Sequence, residues 1–232
     1  MFINGFDILW DEVDDYVADI QSIRSIDQLM FTKLVTFFCG ENGSGKSTLL
    51  EALAIKNGLN PEGGTRNYNF STYDSYSNLH NHMRLWRSRK PDWMYFLRAE
   101  SFYNVATKEM EYSGVFSERY HDQSHGQSFF SVLMKQTNKN GLYLLDEPEA
   151  ALSCQNQLAL LYLIQSCVKQ NCQFIIATHS PILLGFPGAQ ILSFDEGKVE
   201  EVDYKSTSSY QTMKLFLDRY DYFVKDIKEN DN

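Results

Sequence analysis

Apolar residues in this chain fall in short dense runs, and each run stops at a residue with its own backbone or chemical use. Lys33 to Cys39 reads Lys-Leu-Val-Thr-Phe-Phe-Cys and ends at Gly40, which predicts a buried strand. Ser47 to Lys56 is built from strong helix formers and stops at Asn57-Gly58, which predicts a helix. Gly141 to Leu145 reads as a second strand, running into Asp146-Glu147-Pro148. Leu158 to Val168 has the composition of a largely buried helix. Phe174 to Thr178 reads as a third strand, followed by His179-Ser180-Pro181. Strand, helix and strand joined by short connections predict a parallel sheet covered by helices.

Ala189 to Phe194 and Lys198 to Val202 flank Asp195-Glu196-Gly197, the pattern of an antiparallel hairpin. Thr207 to Tyr220 reads as an amphipathic helix, with Met213, Leu215, Phe216 and Leu217 expected to pack on the core. The segment 59–123 differs, being rich in Asn, Ser, Tyr and Gly with weak periodicity apart from the apolar run Trp93 to Leu97. It reads as an inserted lid lobe carrying little of the parallel sheet. It has no heptads, and the chain shows no internal repeat. The expected fold is therefore α/β: one domain over residues 1–232, mainly a parallel sheet with flanking helices, an inserted lid and an antiparallel hairpin.

Composition narrows the picture. Apolar residues make up 43% and aromatics 14%, enough for a real core. The formal charge of −9 argues against a protein whose main task is to coat nucleic acid, since that work is done by Lys and Arg. Acidic residues gather near the start, at Asp7, Asp11, Glu12, Asp14, Asp15 and Asp19, and read as a solvated rim. No segment reaches the roughly 18 apolar residues of a bilayer span, and the first residues lack the pattern of a signal peptide, so the expected location is cytoplasmic. Cys39, Cys154, Cys167 and Cys172 form no Cys-x-x-Cys pair and are expected to be reduced and mostly buried.

Chemistry enters at Gly40 to Ser47, which fits Gly-x-x-x-x-Gly-Lys-Ser without a mismatch and lies between a predicted strand and a predicted helix. Glycines let a loop fold so that successive N–H groups point at a phosphate, and the following helix adds its N-terminal partial charge. Asn42, Gly43, Ser44, Gly45, Lys46, Ser47 and Thr48 are thus the expected triphosphate ligands. Lys46 serves the β- and γ-phosphates, Ser47 the Mg²⁺ ion, and Thr48 the α-phosphate. Leu142 to Leu145 then deliver two carboxylates at a strand's end. Asp146 is the expected second Mg²⁺ ligand, and Glu147 the general base that polarises the attacking water. His179 ends the next strand, where an imidazole can sense the γ-phosphate.

These elements in this order resemble the ABC-type P-loop ATPases, which include transporter nucleotide-binding domains and the SMC and RecF kinds of chromosome and repair ATPase. Gln123-Ser124-His125-Gly126-Gln127, upstream of Asp146, looks like the Leu-Ser-Gly-Gly-Gln signature, with Gln for Leu and His for the first Gly. Ser124, Gly126 and Gln127 fall on signature positions that contact the γ-phosphate held by an opposite subunit. More closely, the chain resembles small single-domain bacterial predicted ATPases, also described as AAA family ATPases. The likeness rests on Val35 to Ala52, Phe96 to Phe102, Leu142 to Ser153 and Phe174 to Leu183. It implies ATP and Mg²⁺ binding, hydrolysis to ADP and phosphate, and an ATP-sandwiched homodimer.

Two departures stand out. Transporter-type domains carry a Gln after the strand leading to the lid, whereas Trp93 to Leu97 is followed by Arg98-Ala99-Glu100-Ser101. Glu100 and Ser101 are candidates for its place. Arg98 is a candidate phosphate contact or part of a salt-bridged hinge. Transporter domains usually read Ala-Leu-Asp where this chain has Ala151-Leu152-Ser153. Tyr16 is a candidate to stack on adenine, against an ordinary core or surface tyrosine. Arg84-Leu85-Trp86-Arg87-Ser88-Arg89-Lys90 offers basic residues around an aromatic, for nucleic-acid phosphates or a solvated lid edge. The expected role is a switch acting with nucleic acid or in stress or defence, with a protein partner possible. The alternative is the energising subunit of a transporter, with a separate membrane partner.

Overall fold

A computed structural model describes residues 1–65, 76–98 and 140–229. Six strands form the central sheet: β3 (Val35–Cys39), β5 (Trp93–Arg98), β6 (Gly141–Asp146), β7 (Gln173–Ala177), β8 (Gln190–Ser193) and β9 (Glu200–Glu201). Their order is β5-β6-β7-β3-β8-β9, parallel except for the closing β8–β9 pair. The expected parallel sheet and hairpin are both present. A second, antiparallel sheet has the order β2-β1-β4, from β1 (Ile3–Ile8), β2 (Gln28–Met30) and β4 (Met83–Arg87).

Successive side chains of a strand point to opposite faces, and both faces of the parallel strands are covered. Phe38, Leu144, Ile175 and Phe96 face one core, with Leu49, Leu50 and Leu53 of helix α2 (Lys46–Lys56), Phe6 of β1 and Phe2 just before it. Phe37, Leu145, Ile176 and Tyr95 face the other, with Leu160 and Ile164 of the 15-residue helix Cys154–Val168. Helix α2 is clamped between the two sheets, which explains why it is apolar nearly all round. Short helix α3 (Leu79–His82) packs against it, and Ile23 of α1 (Gln21–Arg24) lies beside Gly45 just before its start. The helix after β6 is α4, followed by α5 (Pro181–Leu184), α6 (Ser208–Asp218) and α7 (Tyr220–Glu229).

Two buried glutamines join the sheets. Gln173 Oε1 accepts from the backbone N–H groups of Phe2 (2.7 Å) and Ile3 (3.0 Å), while its Nε2 donates to Ile3 O (2.8 Å). The start of β1 thus finds its hydrogen bonds on a side chain of β7. Gln190 does similar work, accepting from Thr32 N and donating to Met30 O.

Three expectations need correction. Helix α4 is amphipathic rather than largely buried: Gln157, Leu160, Ile164 and Cys167 face inward, while Leu158 and Tyr162 are exposed, because only one side meets the sheet. Met213, Leu215, Phe216 and Leu217 do not pack on the core and are all exposed. Helix α6 is anchored at its start, by buried Thr207 and by Tyr204, whose hydroxyl donates to Pro181 O at 2.9 Å, and none of its own residues is buried. The four cysteines are free and mostly buried, as expected, with Cys154 exposed at the first residue of α4. The acidic rim is not simply solvated, since Asp7 pairs with Arg84 at 2.8 Å and Asp15 accepts from Asn78 N at 2.6 Å.

Within segment 59–123, β4 belongs to the antiparallel sheet and β5 to the edge of the central one. Residues 66–75 and 99–123, and with them most of the expected lid, lie outside the described residues.

Candidate nucleotide site

The loop from Gly40 to Gly45 joins the carboxyl end of β3 to α2, at the edge of the sheet where parallel strands deliver their ligands. Gly45 sits just before the helix with φ +93°, and a Cβ there would come within 2.8 Å of Ile23 and 2.9 Å of Ile20. Gly43 also has positive φ, +77°, with open space around it, so there the backbone itself selects glycine. The hydroxyl of buried Ser22 in α1 donates to Ser44 O, and Asp195 Oδ1 accepts from Glu41 N at 3.0 Å. The loop is therefore held from both flanks.

Lys46 is buried, and its Nζ donates to Gly40 O (2.9 Å), Glu41 O (2.7 Å) and Ser44 Oγ (3.3 Å). Burial lowers its pKa below the ordinary lysine value, against the pull of the Glu147, Asp195 and Asp146 carboxylates. Ser47 Oγ donates to Asp146 Oδ1 at 2.8 Å, so the two expected cation ligands are brought together from β6 and α2. Arg98 stands behind them, 2.5 Å from Glu51 Oε2 and 3.6 Å from Asp146 Oδ2. Of the two readings of Arg98, the structure has the salt-bridged one. Burial raises the Glu51 pKa, and the Arg98 guanidinium opposes that shift.

Glu147 follows Asp146 in the left-handed backbone region, φ 48° and ψ 50°, and its N–H donates to Ala177 O at 2.9 Å. A non-glycine residue held there costs on the order of 1–3 kcal/mol, and such residues gather at functional sites. His179 follows β7 directly, with its Nε2 3.6 Å from Glu147 Oε1. Its backbone N–H donates to Glu149 Oε1 at 2.6 Å. Ser180 then caps α5 and donates to Gln157 of α4 at 2.6 Å. Ser153, where transporter domains usually have Asp, caps α4 by accepting from Asn156 N at 3.3 Å. Both residue types are good caps, so the exchange keeps that local job.

A cleft of about 840 Å³ opens beside the loop, lined by Glu41, Glu147, His179, Asp195, Met213 and Phe216. A second hollow of about 830 Å³ lies on the other side of Glu41 and Asn42, against Gln21, Ser22, Glu200 and Ser208. Tyr16 is exposed and lines neither hollow. The arginines of the basic stretch are engaged within the protein. Arg84 pairs with Asp7, Arg87 donates to Asn57 Oδ1 at 3.0 Å, and Arg89 lies 4.5 Å over the Phe2 ring. Ser124, Gly126 and Gln127, like Glu100 and Ser101, lie outside the described residues.

Sequence reasoning missed Glu149 and Asp195 as members of this site. Each works by accepting from a backbone amide distant in sequence, and a lone carboxylate in a loop carries no signal of that.

A family model described as an AAA ATPase domain matches residues 125–184, and one described as an AAA domain matches 18–83. A Haemophilus influenzae protein described as an uncharacterized ABC transporter ATP-binding protein is 28% identical over 183 residues, covering 68% of each chain. The chain is thus similar to ABC-type P-loop ATPases. Among solved structures, it is similar to cbiO1 from Clostridium perfringens, part of the ABC transporter complex cbiONQ. The TM-score is 0.46 at 18% identity, covering 97% of this chain and 100% of that one. It is also similar to the SMC head domain from Thermotoga maritima, with a TM-score of 0.44 at 15% identity over 87% and 98% of the two chains. Among the described residues, no helix is long and apolar enough to cross a membrane.

Proposed function

We propose that this chain is an ABC-type ATPase that binds ATP with Mg²⁺, hydrolyses it to ADP and phosphate, and does so between two copies closed head-to-tail. The observation that carries the reading is Ser47 Oγ lying 2.8 Å from Asp146 Oδ1, with Lys46 and Glu147 the next residues along each chain segment. Both oxygens suit a hard divalent cation. Among the described residues, no group of three or more His, Cys, Asp or Glu side chains could hold a metal by itself.

The loop amides from Asn42 to Thr48 cradle the phosphates, and Lys46 supplies a fixed positive charge. Ser47 and Asp146 would hold Mg²⁺, which when bound would supply charge neutralisation at the phosphate oxygens. Glu147 orients a water in line with the γ-phosphorus and accepts its proton. His179 donates from its ring to the γ-phosphate and so reports its presence. Ser124, Gly126 and Gln127 of the second copy cap the same phosphate from across the interface. Rate enhancement comes from positioning and charge stabilisation, and loss of phosphate opens the pair.

What the switch drives has two readings. The sequence around Pro148-Glu149 and His179-Ser180-Pro181 resembles the chromosome and repair branch, which favours action with nucleic acid or in stress or defence. The description of the Haemophilus influenzae relative favours the nucleotide-binding subunit of a transporter. DNA-stimulated hydrolysis supports the first, and co-purification with a membrane protein supports the second. The dimer itself is tested with Glu147→Gln by light scattering. Saturating ATP·Mg²⁺ is expected to double its mass, and a mass that stays monomeric contradicts the sandwich.

A further inference from the structure

We infer that Glu149 is a positioning residue for hydrolysis, acting through His179; the inference rests on the proposed ATPase reading. Glu149 sits in the 3₁₀ turn Pro148–Ala151 that follows β6, two residues beyond the proposed base. Its Oε1 accepts from the backbone N–H of His179 at 2.6 Å, a short charge-assisted bond that reaches from the end of one parallel strand to the end of the next. His179 and Glu147 thus belong to loops tied to each other at two points. Glu147 N donates to Ala177 O at 2.9 Å, and Glu149 accepts from His179.

Between those ties lie only Thr178 and the imidazole itself. Thr178 is buried, with its N–H donating to Phe38 O at 3.0 Å. The β7 side is therefore rigid up to His179, and the last joint before the ring is the one that Glu149 holds. The other carboxylate oxygen, Oε2, is buried and has no hydrogen-bond partner among the described residues. A carboxylate kept in such a place at the wall of the cleft, rather than a small neutral residue, points to the His179 bond as its task. The imidazole Nε2, 3.6 Å from Glu147 Oε1, is likewise without a hydrogen-bond partner among the described residues. The backbone from which the His179 ring projects is thus held by Glu149.

The test uses the full chain with ATP·Mg²⁺. Glu149→Ala is expected to lower kcat roughly tenfold or more, while KM for ATP stays within about threefold, because the contact shapes the reacting geometry and not nucleotide affinity. Glu149→Gln keeps the acceptor oxygen and should recover most of the loss. In a His179→Ala background, Glu149→Ala should add little, since a residue acting through His179 has nothing left to position. If Glu149→Ala does not fold at the assay temperature, Glu149→Asp, one methylene too short, takes its place. Wild-type kcat in the folded variant overturns the inference, and so does a loss that persists in full without His179. A second readout is independent of turnover. The His179 ring signal in NMR, assigned by its loss in His179→Ala, should shift in Glu149→Ala and stay in Glu149→Gln. An unmoved signal overturns the inference. A wild-type chain that hydrolyses no ATP refutes the ATPase reading instead, and the ring signal then decides whether Glu149 positions His179.

Discussion

A buried ammonium is costly to fold around, and Lys46 is one. Its pKa is lowered from 10.5 chiefly by burial, so between the lowered value and 10.5 the unfolded chain binds more protons than the folded one. Stability therefore rises with pH through that window, and at neutral pH the charge at Lys46 works against the fold. Lys46→Met is accordingly expected to change unfolding free energy by no more than about 1 kcal/mol while abolishing ATP binding. Thermal melting and nucleotide titration of the same sample check both halves. Burial raises the Cys39 thiol to about 11, with the Asp195 carboxylate adding to the effect, so it stays protonated in ordinary buffers. Only Cys154 is an exposed thiol. Alkylation of the native protein at pH 8 should thus label one cysteine, and alkylation in denaturant all four.

At this scale the sequence was most legible where chemistry imposes a spacing. Lys46, Ser47, Asp146 and Glu147 could be named because phosphate binding needs those residue types in that order, and the structure brings Ser47 to Asp146. Glu149 and Asp195 could not, because their partners are the amides of His179 and Glu41, and an amide is the same in every residue but proline.

Among the elements, the buried strands and α2 followed from dense apolar runs bounded by glycine. Strand β1 did not, since Ile3 to Ile8 is interrupted by Asn4, Gly5 and Asp7. Its place depends on the side chain of Gln173, which supplies acceptors to Phe2 and Ile3. Gln173→Leu leaves two amides without those acceptors and should destabilise the protein by about 2 kcal/mol or more. Chemical denaturation checks the value, and ATP affinity measured well below the melting point should be unchanged. Helix α6 shows the limit of periodicity. It marks an apolar face correctly but not what that face meets, and here Met213 and Phe216 line the cleft beside Glu147 and His179 instead of the core.

At the scale of the whole molecule, the central sheet sets two loop ends, after β6 and β7, against the phosphate loop after β3. Parallel register does this directly, pairing Asp146 with Ala177 and Phe38 with Ala177, so the three strands end level. The catalytic reading of that arrangement stands or falls on phosphate release from ATP·Mg²⁺, measured side by side for wild type and Glu147→Gln. Steady turnover by the wild type and a fall of about a hundredfold or more in the variant are the predicted results. Equal rates in the two proteins, or no release by the wild type, would contradict it.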